Sequence, residues 1–406
     1  MKKIIIIGLL CISQNIFATT NRIAAMGGEI AMLPDDDTNI DLFPQHINRW
    51  QLLRLSNISS GEPDYAIVIG EKGDKWGLYG GQNEVGDFFN IYHSFNETTA
   101  IKASLLLATH NHEQESDNNE TPVTKSKADN EYGDFDLRLR FGQTRGEREL
   151  AGSLQYANGP GVLENAIIDD FHGNYDASFT QGTNTSSQSG EADVKFLRLG
   201  FDLREPRKIA LFNHLYINAQ LTKFDLEERL ESAGNAIEHD NFDQWSISGF
   251  ILLFNQKKIA DHSVLVYGIG TSAIASRSVI EDKADPTDRT RINSIRIGGP
   301  HIRLGLETDI KYGKLRFGIQ RNMDLYVYRD ARNTFQSGAN SDDVDDLESG
   351  IGKNASYAFV SGYGMEYKNL KIDLTLNNNF WVSGPQMIFD SQFGTFGLSA
   401  DVLYTF

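Results

Sequence analysis

The chain has one cysteine in 406 residues, Cys11, and it sits close to the N-terminus. Without a second thiol, neither a disulfide framework nor a cysteine-based metal centre can support the fold. Long apolar runs are missing too: Ile4 to Leu10 are seven in a row, far short of the ~20 residues that a membrane-spanning helix needs. Strands are left as the means of crossing a membrane. Basic residues are few, 38 against 55 acidic, for a formal charge of −17. An acidic surface repels phosphate backbones, so no nucleic acid is expected as a partner.

What is present begins with a leader. Lys2 and Lys3 precede the apolar run, and Ile16-Phe17-Ala18 places a small residue before Thr19, the pattern of an export signal over residues 1–18. Its removal would take Cys11 away and lower the formal charge from −17 to −19, because both lysines leave with it.

From Trp50 onward, apolar and polar residues alternate in segment after segment. The period of two predicts strands over 50–58, 64–71, 74–81, 87–95, 98–110, 132–143, 147–156, 192–204, 211–224, 242–255, 262–275, 298–311, 314–329, 355–367, 370–382 and 394–406. Short connections such as Lys72-Gly73 and Tyr312-Gly313 alternate with long ones near 111–131, 157–191, 225–241, 276–297 and 330–354. Short turns on one rim and long loops on the other are the pattern of an all-β antiparallel transmembrane barrel. The count gives sixteen strands; without the short 64–81 hairpin it would be fourteen. The expected division is a signal peptide over 1–18, a pre-barrel segment over 19–49 and a barrel over 50–406. Trp50, Trp245, Tyr328, Trp381 and Tyr404 fall near strand ends, where aromatic girdles lie.

The last stretch, GTFGLSADVLYTF, puts Phe396, Leu398, Ala400, Val402, Tyr404 and Phe406 on one parity, and only Leu403 breaks the rule. It resembles the C-terminal signal of bacterial outer-membrane barrels, which implies an outer-membrane location in a Gram-negative-type cell and handling by the barrel-assembly machinery. Residues 19–49 resemble the start of the FadL-like transporters of hydrophobic compounds and their PorV-like relatives. Gly27 and Gly28 match that family's small-residue patch, Asp35 and Asp36 its acidic pair, and Pro44 its turn. The match departs at Phe43-Pro44-Gln45, where Asn-Pro-Ala would stand, and at the additional Asp37. The resemblance implies a hatch inside the barrel and passive uptake of a small hydrophobic or amphipathic, fatty-acid-like solute. It also keeps open a structural or docking barrel for a secretion or surface complex; a general porin is the remaining alternative.

Parity assigns the charged residues to the lumen, since a lipid-facing charge at the midplane costs about 2–4 kcal/mol. The expected lining is Arg138, Arg140, Arg198, Arg303, Arg316, Glu307 and Asp324, with Phe250, Leu252 and Phe254 as apolar candidates. Asp169, Asp170 and His172 form a local cluster without a convincing nucleophile, so no enzyme and no catalytic residue is expected. Neither a cofactor nor a metal site is expected. Outer-membrane lipid and lipopolysaccharide are the expected surroundings.

Overall fold

In the computed structural model the described residues are 20–56, 64–83, 86–118, 124–159, 175–181, 184–232, 235–282, 289–335, 344–376 and 398–405. Among these described residues, seventeen strands form one antiparallel sheet. They are β1 (Leu52–Ser56), β2 (Asp64–Glu71), β3 (Asp74–Asn83), β4 (Gly86–Asn96), β5 (Thr99–Asn118), β6 (Thr124–Arg145), β7 (Arg148–Asn158), β8 (Tyr175–Gln181), β9 (Asn184–Ile209), β10 (Phe212–Ser232), β11 (Asn235–Ala260), β12 (Ser263–Asp282), β13 (Arg289–Ile310), β14 (Gly313–Phe335), β15 (Val344–Tyr367), β16 (Leu370–Leu376) and β17 (Leu398–Thr405). Leu52 of β1 stands opposite Val68 of β2 on one side and Thr405 of β17 on the other, so the sheet closes and has no free edge there.

β7 and β8 both pair with β6 and β9, β7 against Phe135–Arg145 and β8 against Thr124–Asn130 of β6. They are stacked end to end in one position of the wall. Seventeen strands therefore make a sixteen-stranded barrel, and the 64–81 hairpin is a full part of it.

The five long connections differ from the sequence expectation, because most of their residues are strand. β10 runs to Ser232 and β11 starts at Asn235, with Glu227 opposite Asn241 and Glu228 opposite Asp240. Residues that are polar on both faces lose the alternation that marks a half-apolar strand, yet their backbone pairing continues. The wall thus extends past its apolar band as long polar hairpins.

Parity sorts the faces as expected. Leu197, Leu199 and Phe201 are exposed outward, while Asp202 and Arg204 are buried inward. Trp245 faces outward under Lys223, whose ammonium lies 5.5 Å from the ring centre, and Tyr404 is exposed as well. Trp50 is the exception to the expected girdle, packing inward against an apolar cluster that contains Ile40 and Ile47. The side chain of Tyr328, and Trp381 altogether, lie outside the described residues.

The segment before β1 folds as α1 (Thr20–Ala25), a 3-10 turn at Ile30–Met32, α2 (Asn39–Leu42) and a 3-10 helix at Pro44–Arg49. α1 lies against β14–β17, Ile30–Met32 against β11 and β12, and Pro44–Arg49 against β3–β6. Contacts spread so widely around a closed wall place the segment inside it. Asn48 reaches the short turns, donating to the Asn96 carbonyl at 2.9 Å and accepting from Gly73 N–H at 2.9 Å.

Candidate functional site: the plugged lumen

Two apolar clusters seat the internal segment. Met26, Ile30, Met32 and Leu33 pack on Leu252, Phe254 and Val266 of the wall, while Ile40 and Ile47 pack on Leu52, Val68, Tyr92 and Leu403. Leu252 and Phe254, with the partly buried Phe250, come together on the inner wall, and the surface they form is covered by the segment itself. Leu403, the misfit of the last strand, points inward to this packing.

Small residues let the backbones approach. Gly27 and Gly28 have φ of +98° and +72°, a left-handed region that side chains disfavour, and Gly27 lies on the backbone of Leu304. A Cβ on Gly318 of the wall would lie 2.6 Å from the Ala24 carbonyl oxygen, and one on Gly362 2.8 Å from Ala25 Cβ. Pro44 opens its 3-10 helix against Gly142.

Between these apolar seats the contact is charged. Arg22 pairs with Asp36 and reaches Glu307 at 3.5 Å; Glu307 also accepts from Arg316 at 2.6 Å, and Arg316 pairs onward with Asp373. Asp36 also accepts from the Thr38 N–H and hydroxyl at 3.1 and 2.7 Å. Although burial opposes it, the Arg22 charge and the Thr38 donors hold the Asp36 carboxyl below its ordinary value. Asp37 pairs with Arg54 at 2.9 Å, but burial and the neighbouring Asp36 push it up to about 6. The buried acidic pair is thus Asp36 and Asp37. Asp35 is exposed at the surface of the segment, 4.0 Å from Arg49.

On the other side of the lumen, Asp41 accepts from Lys102 at 2.8 Å and from the Tyr92 hydroxyl. Arg140 donates to the Leu42 carbonyl at 2.8 Å and pairs with Asp202, which also accepts from Tyr216 at 2.6 Å and Asn218 at 2.8 Å. Glu149 gathers His46 at 2.6 Å, Arg49 at 3.0 Å and Arg204. Arg204 continues to Asn39 at 2.7 Å and the Ala31 carbonyl at 3.1 Å, stacking over Phe43 at 4.7 Å.

The predicted lining residues divide into two groups. Arg140, Arg316 and Glu307 belong to the network that grips the segment. Arg138 and Arg198 line the wall apart from it, Arg138 paired with Asp136 at 2.6 Å and Arg198 over Phe196 at 4.8 Å, while Arg303 donates to Asn322 at 2.7 Å and places its charge toward Glu29 of the segment. The side chain of Asp324 lies outside the described residues. Parity from the charged strands missed Arg54, Lys102 and Glu149. For Arg54 the signal was a lone charge inside Leu52-Leu53-Arg54-Leu55, and for the segment it was the charges of Arg22, Asp37 and Asp41.

Farther from the short-turn rim the inner wall carries a polar row and an apolar patch. The pairing aligns Arg138, Gln155, Arg198, Thr222, Ser246, Ser276 and Ser294 across successive strands. Beside them an inward apolar cluster holds Ala157, Val194, Phe196, Phe224 and Leu226, with Phe242 against it. Cationic and apolar surfaces therefore meet at Arg198 and Phe196.

No protein-family model matches the chain, and no characterised protein matches it by sequence. Among solved structures it is similar to FauA, the alcaligin outer-membrane receptor of Bordetella pertussis, at 8% identity and TM-score 0.29 over 87% of this chain and 75% of that one. It is also similar to CdiB of Escherichia coli, at 13% identity and TM-score 0.35 over 87% of this chain and 62% of that one. BauA, the ferric preacinetobactin receptor of Acinetobacter baumannii, aligns at 9% identity and TM-score 0.29 over 88% of this chain and 80% of that one.

Proposed function

We propose that the protein is an outer-membrane channel, delivered by a cleaved signal peptide, whose internal segment plugs a path for passive uptake of a small amphipathic solute. The observation that carries this reading is the wall where Arg198 lies over Phe196 within the Phe196, Phe224 and Leu226 cluster. An anionic head would meet Arg138 and Arg198, and an apolar body the phenylalanines, the division of labour expected of a fatty-acid-like molecule. The plug is gripped by many polar contacts, and contacts of this kind can be exchanged for water as the segment moves. The FadL-like match at Gly27, Gly28, Asp36 and Pro44 supports the same reading.

The test is single-channel conductance in planar bilayers, with the mature chain compared to one lacking residues 19–44. A closed full-length protein that opens on deletion is the expected result; large steady conductance in both would leave a general porin. A docking barrel is the second reading, supported by the polar hairpins that carry β9, β10 and β11 past the apolar band. It would stand if neither form conducts.

A further inference from the structure

The outer face of β6, β7 and β9 carries a feature that plugging and conduction do not use. At the short-turn rim a notch of about 650 Å³ is lined by Arg145, Glu147, Arg148, Leu150, Leu203 and Glu205. Successive outward positions continue from it toward the middle of the wall. Leu150 stands between Gln143 and Leu203, and the next outward residue, Gly152, between Phe141 and Phe201. Both phenylalanines are exposed, and a Cβ built on Gly152 would meet nothing within 4 Å. The glycine leaves an apolar groove with aromatic sides, running down into a charged notch.

The notch is built. Glu205 is buried and held by Arg148 at 2.9 Å and Arg207 at 3.2 Å, which fixes the Arg148 guanidinium at the rim. Arg145 donates from Nε to Gln143 at 2.8 Å and makes no ion pair among the described residues. With Arg207 on Glu205, the cations Arg145, Arg148 and Arg207 outnumber Glu147 and Glu205 here, on a chain whose formal charge is −17.

We propose that this notch and groove bind one phospholipid with an ammonium-bearing headgroup, from the leaflet on the short-turn side. Its phosphate would sit on Arg145 and Arg148, where planar guanidinium forks match phosphate oxygens. Its ammonium would face Glu147, and one acyl chain would fill the groove over Gly152. The site continues the lipid-facing surface and is charged in the sense that a phosphate requires. The proposal rests on the membrane-spanning reading of the barrel.

Native mass spectrometry of the folded mature protein, released from micelles containing phosphatidylethanolamine or phosphatidylcholine, tests it. Phosphatidylethanolamine is expected to be retained in preference. Arg145→Ala, which removes an exposed side chain, should lower retention by about tenfold, the scale of one charge-assisted contact, and Gly152→Leu, which fills the groove, should lower it as well. Glu147→Gln should abolish the preference between the two lipids. Equal retention by wild type and both variants, or no retention by a barrel that folds normally into bilayers, would overturn the site. A chain that does not insert into bilayers at all would overturn the spanning reading with it.

Discussion

His46 Nε2 lies 2.6 Å from Glu149 Oε1, while the equally buried Nδ1 of the same ring has no hydrogen-bond partner among the described residues. A carboxylate can only accept, so the ring carries its proton on Nε2, and a second proton on Nδ1 would find no acceptor. Burial, helped by Arg204 and Arg49 and opposed by Glu149, lowers His46 to about 4.

A pH dependence of plug docking follows. Released into water, His46 returns to its ordinary ~6.5, so the displaced segment binds a proton that the docked one refuses. Docking weakens as pH falls from about 6.5 to about 4. Asp37, raised to about 6, acts in the opposite sense: its docked form takes up a proton before the free form does, so its contribution is lost as pH rises toward 6. Comparison of wild type with His46→Gln isolates the first effect. The gap between the two should change by roughly 2–3 kcal/mol between pH 7 and pH 4, read as protease susceptibility of residues 20–49 in reconstituted barrels. A constant gap across this range would remove the histidine from the account.

The Arg54 and Asp37 pair makes a sharper stability prediction. Arg54→Met leaves the buried Asp37 without its cation, and breaking such a pair costs about 3–5 kcal/mol. Adding Asp37→Leu should recover most of the loss, since the uncompensated charge goes as well. Urea unfolding from lipid vesicles, followed by tryptophan fluorescence, measures both.

Gly318→Leu should separate plug from wall. Its Cβ would approach the Ala24 carbonyl and the Gly27 N–H at 2.6 and 2.7 Å, too close for the segment to stay. We expect residues 20–33 to become protease-sensitive while the barrel keeps its resistance to unfolding by detergent on unheated gels. Protection unchanged from wild type would mean that the segment is seated by other contacts.

In the form lacking residues 19–44, Arg138→Glu combined with Arg198→Glu should turn the channel toward cations, because charged linings set pore selectivity. The reversal potential in a potassium chloride gradient gives the sign directly.

The wall was legible in the sequence because lipid on one side and polar groups on the other impose a period of two, as Leu197 to Arg204 show. The sixteen positions followed from it. The polar hairpins were not legible, since a run such as Glu227-Glu228-Arg229 is polar at every position and has no alternation to display. The plug lacked any period, and its matching charges sit far away in sequence: Arg22 meets Glu307 and His46 meets Glu149. A sequence marks such residues as charges without naming their partners. Nor did it flag Gly152 or Gly318, whose use lies in the side chain they lack.

The inner cluster of Ile40 and Ile47 takes Leu52 from the first strand and Leu403 from the last. Some 350 residues separate those two leucines along the chain, and loop closure over such a span is slow. The plug's second seat is therefore incomplete until the final strand has been synthesised and joined to the first. Sealing the seam and completing this seat become a single late event, and an assembly intermediate stalled before it would hold Ile40 and Ile47 without the Leu52 and Leu403 side of their pocket.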